Sequence, residues 1–184
     1  MIKIVSSRFL NPSPLARFLL KAGTVYVGWQ FIYTFILLPD GRLDTVLSYA
    51  GVKLAAGLLS LLGWTVESMG RFVGLPGSSG VEIQNGCNGL ELIGLFCGFI
   101  VAYPGPSNRM ALFLFGGVFL LFAANVLRIA VFALWTHYFP QSWEPMHIYS
   151  SYVFFYPVVL PLWYLWTVVS DRPGPLSGGG LSSA

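Results

Sequence analysis

The sequence predicts an all-α protein, a polytopic transmembrane helix bundle of about four to five spans with a small extracytoplasmic strand-containing loop. Three observations carry this. Only 9% of the 184 residues are charged, against about 25% in an ordinary soluble domain. Hydrophobic residues make up 55% and the mean hydropathy is +0.71. The charges that exist fall between long apolar runs. A soluble surface cannot be built from so few charges, and a disordered chain needs the opposite balance. A chain of 184 residues has room for about four to six helices of roughly 20 residues, and little else.

The elements follow from the spacing of the charges. Residues 1–21 carry Lys3, Arg8, Arg17 and Lys21 and no acid, and are read as a basic cytoplasmic N-terminus. The first apolar run, 22–39, is longer than the core of a signal peptide and lacks a small-residue cleavage site. It is therefore read as an uncleaved span. It closes at Asp40-Gly41-Arg42-Leu43-Asp44. The second run, 45–66, is interrupted by Lys53 and weakened by Gly51, Gly57 and Gly63. Residues 67–86 hold the turn signal Gly74-Leu75-Pro76-Gly77-Ser78-Ser79-Gly80, so a small strand pair is expected around it. A third run opens near Cys87 and stops at Tyr103-Pro104-Gly105-Pro106. The fourth, 110–139, carries Arg128 and ends before Pro140. The fifth, 145–170, has Pro157 and Pro161 as expected kinks. The whole of 22–170 is taken as one membrane domain. The Gly-, Ser- and Pro-rich tail, 171–184, is expected to be a disordered cytoplasmic segment.

Basic residues gather on the cytoplasmic side of membrane proteins. If run 45–66 stays at the outer interface, Lys3, Arg8, Arg17, Lys21, Arg109 and Arg172 all fall inside and the 67–86 loop falls outside. If it crosses, Arg109 and Arg172 move outside. The first layout satisfies the rule better.

The small net charge of +3 and the lack of a basic stripe argue against a nucleic-acid partner. Cys87 and Cys97 would stand about 15 Å apart along a helix, too far for a disulfide. Two histidines without an acidic cluster point to no metal, and no cofactor motif is present.

Ionisable or reactive groups inside apolar runs are the functional candidates in a membrane protein. Cys87 is read at the N-terminus of the third helix and Arg128 about 27 Å along the fourth. His147 stands at the start of the fifth. Three distant stretches thus bring a thiol, a guanidinium and an imidazole to one level. A thiol near a positive helix end and a cation can ionise and attack a carbonyl. A histidine can deliver the proton to the leaving amine, and an arginine can hold the oxyanion. Glu91 is expected one turn below Cys87 on the same face, and Asn125 on the face of Arg128. With Asn88, these are the supporting residues. Cys97, deeper in the run, reads as a small core residue. His137 reads as interfacial, and Trp135, Trp143, Trp163 and Trp166 as interface belts and packing.

The stretch Asn85-Gly86-Cys87-Asn88-Gly89-Leu90-Glu91 resembles the cysteine motif of the exosortase/archaeosortase family. Asn125-Val126-Leu127-Arg128-Ile129 is similar to its arginine motif, and His147-Ile148-Tyr149-Ser150-Ser151-Tyr152 to its histidine motif. The resemblance covers about residues 80–160. It implies a membrane-embedded cysteine protease and transpeptidase of the bacterial inner membrane, its site facing the extracytoplasmic side. Its partners would be exported proteins bearing a C-terminal sorting tail: a short motif, a hydrophobic helix and a basic end. Membrane lipid would be its other partner. Cys87 would be the nucleophile, Arg128 the arginine that steadies substrate or transition state, and His147 the acid and base. The sequence departs from the family at Asn88, where Ser or Thr is common, at Ser150 and Ser151, where glycine is frequent, and in being short. The alternative is a non-catalytic membrane scaffold or assembly factor in which Arg128 and His147 make a polar contact between helices. The oligomeric state is left open.

Overall fold

The structure, a computed structural model, describes residues 13–170. The expectations for residues 1–12 and for the 171–184 tail lie outside it. The chain order is α1 (Pro14–Ile32), a π turn (Tyr33–Leu37), α2 (Leu38–Asp40), α3 (Arg42–Leu61), β1 (Glu67–Met69), β2 (Phe72–Gly74) and β3 (Val81–Glu82). There follow α4 (Leu90–Ala102), α5 (Ser107–Tyr138), a 3₁₀ turn (Pro140–Ser142), α6 (Trp143–Phe154) and α7 (Tyr156–Ser170).

The first span begins earlier than the charge pattern suggests. Ser13 caps α1 by accepting the Ala16 N–H at 3.2 Å, with Pro14 in the first turn. Arg17 and Lys21 therefore ride on the helix instead of preceding it. Lys21 Nζ donates to the Val101 carbonyl at 2.7 Å, satisfying a free carbonyl at the end of α4. The helix widens into a π turn just before Pro39, which has no N–H to offer the carbonyl four residues back. Gly41, at φ +65°, then reverses the chain into α3.

Three stretches are long and apolar enough to cross a membrane: Leu15–Asp40, Ser107–Tyr138 and Pro140–Ser170. The shorter α4 is a fourth apolar helix, and α3 is not among the candidates. Instead α3 buries Val52, Ala55, Ala56 and Leu59 against Val126–Ala133 of α5 and the small sheet. That placement sets α3 beside the C-terminal part of α5.

The expected strand pair is present as β2 and β3, joined through the Gly74–Gly80 turn. A further strand, β1, pairs antiparallel with β2, giving the order β1-β2-β3. The turn needs its glycines: a Cβ on Gly80, at φ +59°, would stand 2.2 Å from the Phe72 ring.

Two apolar cores line α5. One joins α3, the sheet and residues 126–133; the other packs Phe96 and Ile100 of α4 with Leu121, Ala124, Val159 and Trp166. The fifth run is not one helix. It breaks at Phe155 between α6 and α7, because Pro157 cannot donate to Val153 and its ring crowds that carbonyl. Pro161 lies inside α7. The break turns Phe155 into the buried core. The packing expected of the tryptophans is seen: Trp166 is fully buried, Trp163 stacks on Phe99 at 4.7 Å, and Trp135 donates to Ser142.

Candidate active site

Cys87 does not open a helix. It lies in a loop before α4, which begins at Leu90, and its own N–H donates to the Gln84 carbonyl at 3.0 Å. The reason is local. The two Asn-Gly pairs around it favour turns, and Gly86 and Gly89 take φ of +83° and +84°. Two residues, Asn88 and Gly89, separate Cys87 from α4, so the helix dipole acts on it less than at a helix N-terminus. A same-face relation of Cys87 and Glu91 within one helix also falls. Glu91 sits in the first turn of α4 and accepts from Gln30 Nε2 of α1 at 3.1 Å.

Arg128 is buried on α5, only 6% exposed. Its Nε donates to Ser150 Oγ at 2.9 Å, and its Nη1 to the Cys87 carbonyl at 3.3 Å. Its guanidinium carbon lies 4.8 Å from the centre of the Phe132 ring and 5.6 Å from that of Phe155. These cation–π contacts soften the loss of water but do not neutralise the charge. Among the described residues, the ion pair is Arg42–Asp40 at the surface, and no carboxylate pairs with Arg128. Neutral oxygens occupy two of its N–H donors, leaving others for an anion.

His147, on α6, is exposed. Its ring packs 5.6 Å from Trp143 and 6.1 Å from Phe132. Phe132 thus touches both Arg128 and His147, and the Ser150 hydroxyl that accepts from Arg128 donates to the His147 carbonyl at 2.8 Å. Cys87, Glu91, Arg128 and His147 all line one cavity of about 530 Å³, together with Ser151 and Gln30. It shares Tyr26 and Leu95 with an apolar groove of about 380 Å³ between α1 and α4.

The two asparagines behave differently from expectation and from each other. Asn88 is fully buried and fully used: Nδ2 donates to Asp44 Oδ1 at 2.8 Å and to the Asp44 carbonyl at 3.0 Å, while Oδ1 accepts the Leu90 N–H at 3.0 Å. Asn125 is also fully buried, but its amide meets no hydrogen-bond partner among the described residues. The orienting hydrogen bonds expected of it are not made. It fills the space between Gly51 of α3 and Gly89. Cys97 lies half-buried on α4, and both cysteines are free. His137 is exposed near the end of α5, against Tyr138 and away from the cavity.

Sequence reasoning missed Asp44, Ser150 and Phe132. Phe132 was within reach, being four residues after Arg128 on one helix face. Among the described residues, no group of three His, Cys, Asp or Glu side chains gathers as a metal site would require.

A transmembrane exosortase family model matches residues 17–164, most of the chain. No curated protein and no solved structure matches it.

Proposed function

The chain belongs to the transmembrane exosortase family, and on that premise we propose that it is a cysteine peptidase and transpeptidase acting on C-terminal sorting tails of exported proteins. One observation carries the reading: a buried arginine with no carboxylate partner among the described residues, bonded to the carbonyl of Cys87, borders the same cavity as that thiol and an imidazole.

The chemistry proceeds in two halves. The Cys87 sulfur, as thiolate, attacks the scissile carbonyl of the sorting motif, and the carbonyl oxygen becomes an oxyanion. The unoccupied N–H donors of Arg128 stabilise that charge. In a cavity walled by Phe155 and Tyr156, the interaction is stronger than in water. As the tetrahedral species collapses, the C–N bond breaks and His147 gives its proton to the leaving amine. The acyl group remains on Cys87 as a thioester. In the second half, His147 takes a proton from water or an acceptor amine as it attacks, and the thiolate is released. The tail's hydrophobic helix would lie in the groove between α1 and α4, which runs into the cavity at Tyr26 and Leu95. The site would face the extracytoplasmic side of a bacterial inner membrane, beside the sheet-bearing loop.

The test is direct. Enzyme and a tail-bearing protein are co-expressed, and Cys87 is followed by mass spectrometry. Parent enzyme should release the tail and yield a hydroxylamine-sensitive adduct on Cys87. Undiminished tail release by Cys87→Ala would overturn the proposal.

A further inference from the structure

Carboxylates are almost never fully buried unless paired with a cation. Asp44 is 0% exposed, and no cation pairs with it among the described residues. Its partners are instead the two neighbours of Cys87. Oδ1 accepts the Gly86 N–H at 2.9 Å and Asn88 Nδ2 at 2.8 Å, and the Asp44 main-chain carbonyl accepts Nδ2 again at 3.0 Å. Oδ2 meets no partner among the described residues. The Tyr33 hydroxyl of the π turn is likewise buried with no hydrogen-bond partner among the described residues.

These contacts hold a segment that has little else to hold it. Gly86 and Gly89 are both in the left-handed region, and glycine loses more conformational freedom on ordering than any other residue. The loop's own bonds are Cys87 N–H to Gln84 and Leu90 N–H to Asn88. Asn88 therefore couples the start of α4 to Asp44 on α3, while Arg128 fixes the carbonyl of residue 87 from the other side.

We infer that Asp44 is a positioning residue: by clamping Gly86 and Asn88 it sets the pose of Cys87 toward Arg128 and the cavity. The inference rests on the reading of Cys87 as nucleophile. What Asp44 supplies is an acceptor oxygen at one point, not volume and not a charge partner. An asparagine can place an oxygen there; a leucine of similar bulk cannot.

The experiment uses the full chain in proteoliposomes with a tail-bearing protein, measuring kcat and KM separately, and hydrogen exchange over residues 84–90. Asp44→Leu should lower kcat at least tenfold with KM within twofold, because the substrate surfaces are untouched, and should lose amide protection in 84–90. Asp44→Asn should recover kcat to within about threefold of the parent and restore protection. A parental kcat in Asp44→Leu, or an Asp44→Asn enzyme as impaired as Asp44→Leu, overturns the inference. If Asp44→Leu does not fold, Asn88→Ala cuts the same clamp from its other side. It carries the same expected loss, and a parental kcat there overturns the inference equally. Failure of the nucleophile reading is distinguishable, since it appears as undiminished processing by Cys87→Ala with Asp44 intact.

Discussion

Arg128 and Ser150 are joined by a 2.9 Å hydrogen bond between two buried side chains, one on α5 and one on α6. The same hydroxyl donates a hydrogen bond to the carbonyl of His147, one turn back along α6. One serine thus sets the aim of the guanidinium and ties it to the helix that carries the imidazole.

Removing that hydroxyl should loosen the aim without removing the charge. Ser150→Ala is expected to cost about 1.5–3 kcal/mol of stability, the range for a hydrogen bond to a charged group. Tail processing should slow several-fold. Thermal unfolding in detergent and a processing time course measure the two effects. Unchanged values for both would show that the bond carries no weight.

Arg128→Lys keeps a positive charge but loses the planar fork that reaches Ser150 and Cys87 at once. Loss of an oxyanion donor elsewhere typically slows turnover by about 10²–10³-fold, and a fall of that order is expected here. A lysine enzyme within threefold of the parent would mean that charge alone suffices.

The two free cysteines should separate cleanly. Cys87 borders the cavity, whereas Cys97 lines a separate apolar pocket beside Val101 and Ile32. A polar, membrane-impermeant maleimide should label Cys87 in preference to Cys97, and Cys97→Ala should process tails within twofold of the parent. Preferential labelling of Cys97 would contradict the placement.

Gly89 sits at φ +84°, and a Cβ there would approach Phe155 to 3.4 Å. Gly89→Ala should therefore destabilise the fold by about 1–2 kcal/mol, the penalty of a left-handed L-residue. The substitution strains the turn between Asn88 and α4, so processing should fall as well. A melting temperature equal to the parent's would refute the strain.

Topology is checked with single cysteines at Ser79 and Ser107. Ser79 is exposed in the β2–β3 turn, whereas the hydroxyl of its neighbour Ser78 braces Leu75 and Gly80. Ser107 begins α5, at the opposite end of that helix from Arg128. An impermeant reagent applied outside intact cells should mark Ser79→Cys and spare Ser107→Cys. The reverse pattern would invert the proposed orientation.

The sequence by itself determined that this is a helical membrane protein, and it determined three of the groups around the cavity. The reason is energetic. In an apolar run every charge or imidazole is costly, so Arg128 and His147 stand out in one dimension, and Cys87 is marked by the turn-forming asparagines and glycines beside it. Those same Asn-Gly pairs form the loop that separates Cys87 from α4, although by apolar pattern alone Cys87 reads as the start of that helix. The weakness of run 45–66 as a span was legible in Lys53 and its glycines.

Only the tertiary structure decided which polar residues serve the site from a distance. Asp44 lies in a charged cluster with Asp40 and Arg42 that reads as a surface loop. Its burial arises because Gly41 turns the chain and α3 packs against α5, carrying that one carboxylate under the Cys87 loop. Ser150 is an ordinary serine until the helix break at Phe155, forced by Pro157, sets α6 against Arg128. Asn125 had the right spacing for a supporting role, but spacing along a helix cannot show whether a buried amide finds a partner. Hydrophobic pattern fixes which stretches enter the membrane; hydrogen-bond pairing between distant segments depends on how those stretches pack.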